Sequence, residues 1–228
     1  MAREAPVVVV GAGLAGLCTA LACAPRPVLL LDAGSGTASA LAQGGIAAAL
    51  GPGDSLEAHV ADTLAAGAGR CDPARVRQLV RAAPWAVDWL AAQGVAFDRE
   101  GGRLALGREG GHGAHRIVHA GGDATGARIM EALARRVAAQ ARIEWRSGVR
   151  VDALLLRGGQ VAGVRAVAAD GQAAVVESAA VVLATGGIGG LYARSTNPGG
   201  HRGAGLALAQ AAGARLRDLE YVQFHPTA

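Results

Sequence analysis

Three glycines follow an apolar run near the N-terminus, in a spacing that suits phosphate binding. Residues 7–10 are all valine, residues 11–16 read Gly-Ala-Gly-Leu-Ala-Gly, and Asp32 ends a second apolar run. In such a unit the first glycine permits a tight turn, the second lets backbone approach a pyrophosphate, and the third lets the following helix lie close on the sheet. The Asp32 carboxylate would accept hydrogen bonds from an adenosine ribose. Because the chain has 35 glycines in 228 residues, the glycine spacing alone is weak evidence for a binding site. The strand before it, the helix after it and the acid about 20 residues further on together predict a dinucleotide site.

Three histidines in a glycine-rich stretch could suggest a metal site. His112, His115 and His119 are three and four residues apart, with no set of thiols or carboxylates beside them. Zinc sites need three or four such ligands that converge on one point. We therefore expect no metal, and we interpret His115 and Arg116 as loop-ordering or substrate-channel groups.

The composition excludes several kinds of chemistry. The net charge of +4 comes entirely from arginine, because the chain contains no lysine. Schiff-base chemistry, pyridoxal chemistry and the lysine-bearing Walker loop are therefore excluded. The arginines are scattered among acids, which argues against a nucleic-acid surface. Cys18, Cys23 and Cys71 lack a Cys-x-x-Cys spacing, and we assign them neither a disulfide nor a metal.

The uncharged N-terminal segment raises the question of a signal peptide. Arg3 precedes residues 5–25, which carry no charge up to Pro25, and Ala-Cys-Ala at 22–24 resembles a cleavage site. However, Glu4 lies in the region that should be basic, and three glycines interrupt the apolar stretch. No other segment resembles a membrane span. We expect a cytoplasmic protein.

Two helices are expected after a small-residue loop. Asp54, with Glu57 three residues later, predicts a capping box for the first helix. Asp72 is expected to cap the second, with Pro73 at its first position and an end near Gln93. The second helix carries two aromatic residues four apart, which we expect on its buried face: Trp85 and Trp89.

The second half of the chain changes from helical to strand periodicity. Residues 101–124 are rich in Gly, His and Arg and predict a long loop, and Thr125 is expected to cap a helix that ends near residue 140. A period of two then predicts an antiparallel β-meander, followed by one buried strand and a glycine-rich tail. The expected elements are strands near 142–146, 149–157, 160–168, 172–177 and 180–184, a short helix near 204–212 and a strand toward Glu220.

Five short motifs occur in order along the chain. They are Ala-Gln-Gly-Gly-Ile at 42–46, Arg-Glu-Gly-Gly-His at 108–112, Val-Leu-Ala-Thr-Gly-Gly at 182–187, Thr-Asn-Pro at 196–198 and Gln-Phe-His-Pro-Thr at 223–227. With these motifs the chain resembles the succinate dehydrogenase and fumarate reductase flavoprotein family over its whole length. The resemblance implies an α/β fold: a Rossmann-like FAD-binding domain with a parallel sheet plus an antiparallel β-meander, truncated before the capping domain. We expect this one domain over 1–228, with parts at 5–50, 51–140, 141–190 and 191–228.

The resemblance also implies a cofactor and a reaction. A histidine that binds FAD covalently in the respiratory members is replaced here by Ala38, so FAD is expected to be non-covalent. Glu109 stands where the members that oxidise L-aspartate carry an acid, and it would orient the substrate ammonium. His225 and Thr227 would hold a substrate carboxylate. The residues expected to bind FAD are Gly11, Ala12, Gly13, Leu14, Ala15, Gly16, Asp32, Ala38, Ser39, Gln43, Gly44, Gly45, Thr185, Gly186 and Gly187.

The implied reaction is the oxidation of L-aspartate to iminoaspartate, the first step of de novo NAD biosynthesis. Oxygen or fumarate would be the electron acceptor, and quinolinate synthase would be a functional partner. Two departures from the family pattern stand out. Ala204 replaces the aspartate of a Gly-Asp-Gly motif, and the family continues beyond the position of Ala228 with a capping domain and a proton-transferring arginine. The resemblance therefore implies an N-terminal fragment that is inactive by itself.

Two alternatives of different class stay open. A respiratory-type dicarboxylate oxidoreductase is favoured if the pocket rejects an amino group. A non-catalytic, degenerate dinucleotide-binding module is favoured by the truncation and by Ala204. A flavin spectrum separates the module from the two enzymes, and peroxide production with L-aspartate against succinate separates the enzymes from each other.

Overall fold

The computed structural model describes residues 4–223 and divides into two compact units. The first, called the sheet unit below, comprises Met1–Ala38 and Ala134–Ala228, and the second, the inserted unit, comprises Ser39–Leu133. The helices are α1 (Leu14–Ala22), α2 (Leu56–Ala66), α3 (Pro73–Ala92), α4 (Thr125–Ala138) and α5 (Ala204–Ala211). The strands are β1 (Val7–Val10), β2 (Val28–Asp32), β3 (Ile46–Ala47), β4 (Arg99–Glu100), β5 (Arg103–Leu104), β6 (Leu106–Gly107), β7 (Ile117–Val118), β8 (Ile143–Ser147), β9 (Arg150–Arg157), β10 (Gln160–Val167), β11 (Ala173–Glu177) and β12 (Ala180–Leu183).

A four-stranded parallel sheet forms the core of the sheet unit. Its order is β12-β1-β2-β8, and Val8 of β1 lies opposite Leu29 on one side and Val181 on the other. All four residues of β1 are buried, as expected for a central strand that is covered on both faces. The predicted strand near 142–146 exists as β8, but the prediction that it belongs to the meander was wrong. It pairs in parallel with β2 and so forms an edge of this sheet.

The antiparallel β-meander has three strands. β9, β10 and β11 pair in the order of the sequence, and the predicted hairpin turn at Gly158 and Gly159 has positive φ at both residues. Val151 and Val164 from the meander pack in one apolar cluster with Val8 of the sheet and Leu208 of α5. The short sequence distance between the hairpin strands explains why this part was predictable.

One prediction for α2 and one for α3 need correction. The cap of α2 is Ser55, whose hydroxyl accepts the Ala58 amide at 3.0 Å, and Asp54 is instead bound by an arginine far along the chain. The cap of α3 is Asp72, as predicted. The two tryptophans of α3 do not share its buried face. Trp85 is 66% exposed, and its ring stacks on Trp89 with centroids 6.4 Å apart. The buried residues of α3 are Val76, Val80, Val87 and Leu90.

The predicted loop over 101–124 is more regular than expected. It contains three two-residue strands, β5, β6 and β7, and β7 pairs with both β3 and β6. Thr125 has helical dihedral angles and is the first residue of α4, so it is not the cap. The strand expected toward Glu220 does not form, and α5 is the last helix of the described chain. No helix within residues 4–223 has both the length and the apolar character needed to cross a bilayer.

Candidate functional site

The first glycine turn of the sheet unit leaves no room for a side chain at Gly11 or at Gly16. Gly11 has a φ of 105°, and a methyl group on its Cα would overlap the carbonyl oxygen of Ala184. A methyl group on Gly16 would overlap the carbonyl oxygen of Gly11. The turn is held from both neighbouring strands, because the Gly11 amide donates to Leu31 at 2.8 Å and the Ala184 amide donates to Val10 at 2.8 Å. The turn at the end of β1 therefore depends on both glycines.

The start of α1 fits a pyrophosphate. Gly13 is its N-cap residue in an extended conformation, and no side chain among the described residues caps this end. The first amides of a helix point along its axis and carry the positive end of its dipole, so an uncapped, glycine-lined helix start suits a phosphate. The order strand, glycine turn and helix is the one predicted for residues 11–16, and these residues fit the pyrophosphate of FAD.

Asp32, the predicted ribose ligand, lies at the end of β2, next to β1. Its Oδ1 accepts the Gly34 amide at 3.0 Å, and its Oδ2 accepts the Ser147 hydroxyl at 3.2 Å. An ionised carboxylate has about four acceptor positions, so the two protein bonds orient Asp32 without using all of its capacity. Ser147 ends β8, and its role was missed because β8 was not predicted to neighbour β2.

The Ala-Thr-Gly-Gly turn after β12 lies directly against the first glycine turn. The Thr185 Cα is 3.2 Å from the methyl position on Gly11, and the Thr185 side chain packs on Gly205 at the start of α5. His201 was not singled out from the sequence, yet its ring lies 3.1 Å from the methyl position on Gly186 and 3.2 Å from the Gly36 carbonyl. The only signal for it was its position in the glycine-rich tail. The structure thus brings together the predicted segments 11–16 and 185–187.

Ala38 is the last residue of the sheet unit, and Ser39 is the first of the inserted unit. Both belong to a short 3₁₀ helix, Ala38–Leu41. Within the inserted unit, this segment packs on the start of α4. The Gly126 amide donates to the Ala42 carbonyl at 2.8 Å, and a methyl group on Gly126 would overlap the carbonyl oxygen of Ser39.

The Ala-Gln-Gly-Gly segment is held against β7. Gly45 precedes β3, and a methyl group there would lie 2.6 Å from the Val118 carbonyl and 3.0 Å from the His119 ring. Gln43 and Gly44 are exposed. The inserted unit therefore presents Gln43 and Gly44 next to a glycine that packs closely on β7.

The Glu109 carboxylate lies over this segment. Its two oxygens are 3.6 and 3.7 Å from the methyl position on Gly44, and the side chain is exposed. The sequence places these residues 65 positions apart, in two motifs that were singled out separately. A negative charge thus stands beside one of the predicted cofactor loops, available to a cationic group of a ligand.

A buried ion-pair cluster supports the loop that carries Glu109. Arg116 is completely buried, and its guanidinium binds Asp54 through two hydrogen bonds of 2.8 and 2.9 Å. It also donates to Asp62 at 2.7 Å. Asp62 accepts the Gly113 amide at 2.7 Å, and this bond is the main cause of its lowered pKa, followed by Arg116. Arg116 is therefore loop-ordering, one of the two roles considered for it.

The histidines of this region have separate surroundings. His59 and His112 meet edge to face, with ring centroids 5.8 Å apart, while His115 Nδ1 lies 3.2 Å from the Leu106 carbonyl. His119 lies near Asp98, whose pKa is lowered by the Gly122 and Gly121 amides and then by His119. Residues 4–223 contain no group of three or more His, Cys, Asp or Glu arranged to hold a metal ion.

Three further positions were singled out from the family resemblance. His225 and Thr227 lie outside the described residues. Ala204 is the first residue of α5, so the carboxylate expected there from the family pattern is replaced by a methyl group.

Comparison with known sequences identifies the family of the chain. A family described as an FAD binding domain matches residues 6–228. L-aspartate oxidase of Mesorhizobium japonicum is 50% identical over an alignment that covers 97% of this chain and 44% of that protein. L-aspartate oxidase of Streptomyces coelicolor is also 50% identical, over 99% of this chain and 40% of that protein. The chain thus spans less than half the length of these curated relatives.

Comparison with solved structures identifies the same fold. A variant of E. coli quinol fumarate reductase superposes with a TM-score of 0.93 at 32% identity, over 99% of this chain and 40% of that one. A flavocytochrome c3 fumarate reductase superposes with a TM-score of 0.87 at 29% identity, over 97% of this chain and 43% of that one.

Proposed function

Because this chain belongs to the FAD-binding domain family of the succinate dehydrogenase and fumarate reductase flavoproteins, we propose that it is the cofactor-binding part of an enzyme that oxidises L-aspartate to iminoaspartate. The observation that carries the proposal is the exposed Glu109 carboxylate over Gly44. L-aspartate differs from succinate by one ammonium group, and a carboxylate is the natural partner of that group. The high identity to L-aspartate oxidases supports the same substrate.

FAD, when bound, supplies the hydride acceptor, and the protein supplies position and charge. In the sheet unit, residues 11–16 and the 185–187 turn would bind the pyrophosphate, and Asp32 would bind the ribose. In the inserted unit, Ser39, Gln43, Gly44 and Gly45 would bind the flavin side. Glu109 would hold the substrate ammonium, which fixes the Cα–H bond in one direction.

The rest of the proposed reaction involves groups beyond the described residues. His225 and Thr227 would bind a substrate carboxylate. Oxygen or fumarate would reoxidise the cofactor, and quinolinate synthase would be a functional partner in NAD biosynthesis. The proposed location is the cytoplasm.

The proposal is tested by Glu109→Gln in an enzyme of full length, made by joining residues 1–228 to the remaining part of the M. japonicum relative. We expect kcat/KM for L-aspartate to fall about tenfold to 100-fold, because one charge-assisted hydrogen bond contributes roughly 1.5–3 kcal/mol. Fumarate reduction should change less than about twofold, since fumarate has no ammonium. Both rates are measured with the same preparation, and succinate oxidation is assayed beside them.

The matched control is Glu100→Gln, which neutralises another exposed acid of the inserted unit. It should leave both rates unchanged. Equal losses for L-aspartate and fumarate in Glu109→Gln would show that Glu109 holds the loop and does not bind substrate. Peroxide production with succinate but not with L-aspartate would replace the proposal with the respiratory-type alternative.

A second prediction concerns how FAD is attached. Ala38 has a methyl side chain and offers no nucleophile to the flavin. Acid precipitation of the loaded protein should therefore release all of the flavin as free FAD, measured by absorbance of the supernatant. Flavin that remained with the precipitate would contradict the prediction.

A further inference from the structure

We propose that His59 and Asp62, both on α2, are positioning residues that hold the turn formed by residues 109–113 and so fix the Glu109 carboxylate. Neither side chain is placed at the substrate. Through the turn, α2 would set the preference for substrates that carry an amino group. The inference rests on the proposed role of Glu109.

Asp62 provides the first attachment. Its Oδ2 accepts the Gly113 amide at 2.7 Å and, at the same distance, a hydrogen bond from Arg116. Arg116 is in turn bound to Asp54, just before α2. The end of the turn is thus tied to α2 through a carboxylate that cannot move without breaking its ion pair with the buried Arg116.

His59 provides the second attachment. Its ring packs edge to face on the ring of His112, with centroids 5.8 Å apart. Both Nδ1 atoms are buried and have no hydrogen-bond partner among residues 4–223. The contact between the rings is therefore one of shape and not of hydrogen bonding. Packing of this kind is lost when one ring is removed.

The attachments act on Glu109 because the turn is short. The His112 amide donates a hydrogen bond to the Glu109 carbonyl at 3.2 Å, so Glu109 and His112 are the two ends of one closed turn. Between them, a methyl group on Gly110 or Gly111 would meet no atom within 4 Å in the described part of the chain. Both glycines are exposed, and no described residue packs against their Cβ positions, so the attachments at His112 and Gly113 are the contacts that hold the turn on α2.

Four titratable or charged groups act on His59: Arg116, His112, Asp54 and Asp62. Burial is the first cause of its lowered pKa, the positive Arg116 and then His112 lower it further, and Asp54 and Asp62 act in the opposite direction. The neutral ring is thus the form that fits between α2 and the turn. A proton on His59 would place a second cation close to Arg116.

The test is a double-mutant cycle in the full-length enzyme described above. His59→Ala should raise KM for L-aspartate about tenfold and change KM for fumarate less than about twofold. In the Glu109→Gln background, the same change should alter KM for L-aspartate less than about twofold, because the contact it acts through is already lost. His59→Phe keeps a ring against His112 and should behave like the wild type at pH 7.5. Glu57→Gln, an exposed change on α2, is the control.

Amide hydrogen exchange on the 228-residue chain tests the attachment independently of any substrate. His59→Ala should accelerate exchange of the His112 and Gly113 amides at least about fivefold, while amides of α3 remain unchanged. Unchanged exchange in the turn would overturn the inference even if Glu109 binds the ammonium. Accelerated exchange together with equal losses for both substrates would leave the attachment intact and reject the proposed role of Glu109. Full effects of His59→Ala in the Glu109→Gln background would also overturn the inference.

The pH dependence has a definite sign. The ordinary pKa of histidine is 6.5, and that of folded His59 is lower, so the unfolded chain binds the proton first as the pH falls below 6.5. The unfolding midpoint in urea should therefore decrease on going from pH 7.5 to 5.5. His59→Phe should show a smaller decrease. Asp62 contributes in a different range, because its lowered pKa affects stability only when the pH falls below its ordinary value of 3.8.

Discussion

Arg116→Met should lower the free energy of unfolding of this chain by about 3–5 kcal/mol, the usual result of removing one member of a buried ion pair. The Arg116 side chain has no exposed surface, and that of its partner Asp54 is 1% exposed. Methionine fills a similar volume but removes the two hydrogen bonds that Arg116 donates to the Asp54 carboxylate, which keeps only the bond from the Ser55 amide. An unpaired charge in that place is more costly than the loss of the attraction itself. Urea unfolding at pH 7.5, followed by circular dichroism, measures the change.

Two variants show whether the cause is the buried charge. Adding Asp54→Leu to Arg116→Met removes the orphaned carboxylate and should recover a large part of the lost stability. Arg165→Met breaks a pair of the same bidentate form, Arg165 with Asp152 on the meander, but the Arg165 side chain is 53% exposed. That variant should leave the unfolding midpoint almost unchanged. Equal losses for Arg116→Met and Arg165→Met would contradict the argument.

Gly11→Ala should weaken FAD binding about 100-fold or more, which corresponds to roughly 2.8 kcal/mol. The new methyl group would overlap the Ala184 carbonyl and would sit on a residue with a φ of 105°. The atoms near the new methyl group are backbone atoms of Ala184 and Thr185, which follow β12. Because they cannot rotate away as a side chain would, the overlap is removed only if the turn moves away from the place where the phosphates bind. Fluorescence quenching of added FAD measures binding, and the unfolding midpoint should fall in the same variant.

Gly159→Ala is the matched control for this change. Gly159 also has a positive φ, of 77°, but a methyl group there would meet no atom within 4 Å among the described residues. It therefore carries the conformational cost of alanine without the overlap, a cost of about 1 kcal/mol. FAD binding should be unchanged in Gly159→Ala. If it fell as far as in Gly11→Ala, the close approach at Gly11 would not be the cause.

Gly13→Val should also abolish FAD binding, since a branched side chain would occupy the place of the pyrophosphate.

The features predicted well from the sequence depend on neighbours along the chain. The glycine turn at 11–16, the Asp72 cap and the Gly158-Gly159 hairpin are each contained in a few consecutive residues. The same is true of the family motifs, which identified the FAD-binding fold. Local rules suffice where the physical cause is local.

The errors arose where distant residues decide the outcome. Asp54 satisfies the spacing of a capping box, but Arg116, 62 residues away, binds its carboxylate and leaves the cap to Ser55. Trp85 lies about 140° around α3 from Val80, at about 100° per residue, so the helix cannot bury both. The meeting of Glu109 with Gly44 joins two loops, and no periodicity encodes such a contact.

The discontinuous sheet unit has a consequence for synthesis on the ribosome. Ser39–Leu133 is one unbroken stretch, so the inserted unit has all of its helices and strands before the sheet unit is complete. β1 pairs with β12, and the Val8 amide bonds Ser178, 170 residues further along. During translation, one edge of β1 therefore stays unpaired until β12 has been synthesised. Unpaired apolar edges of this kind bind chaperones or aggregate, which makes the speed of elongation through the inserted unit relevant to the yield of folded protein.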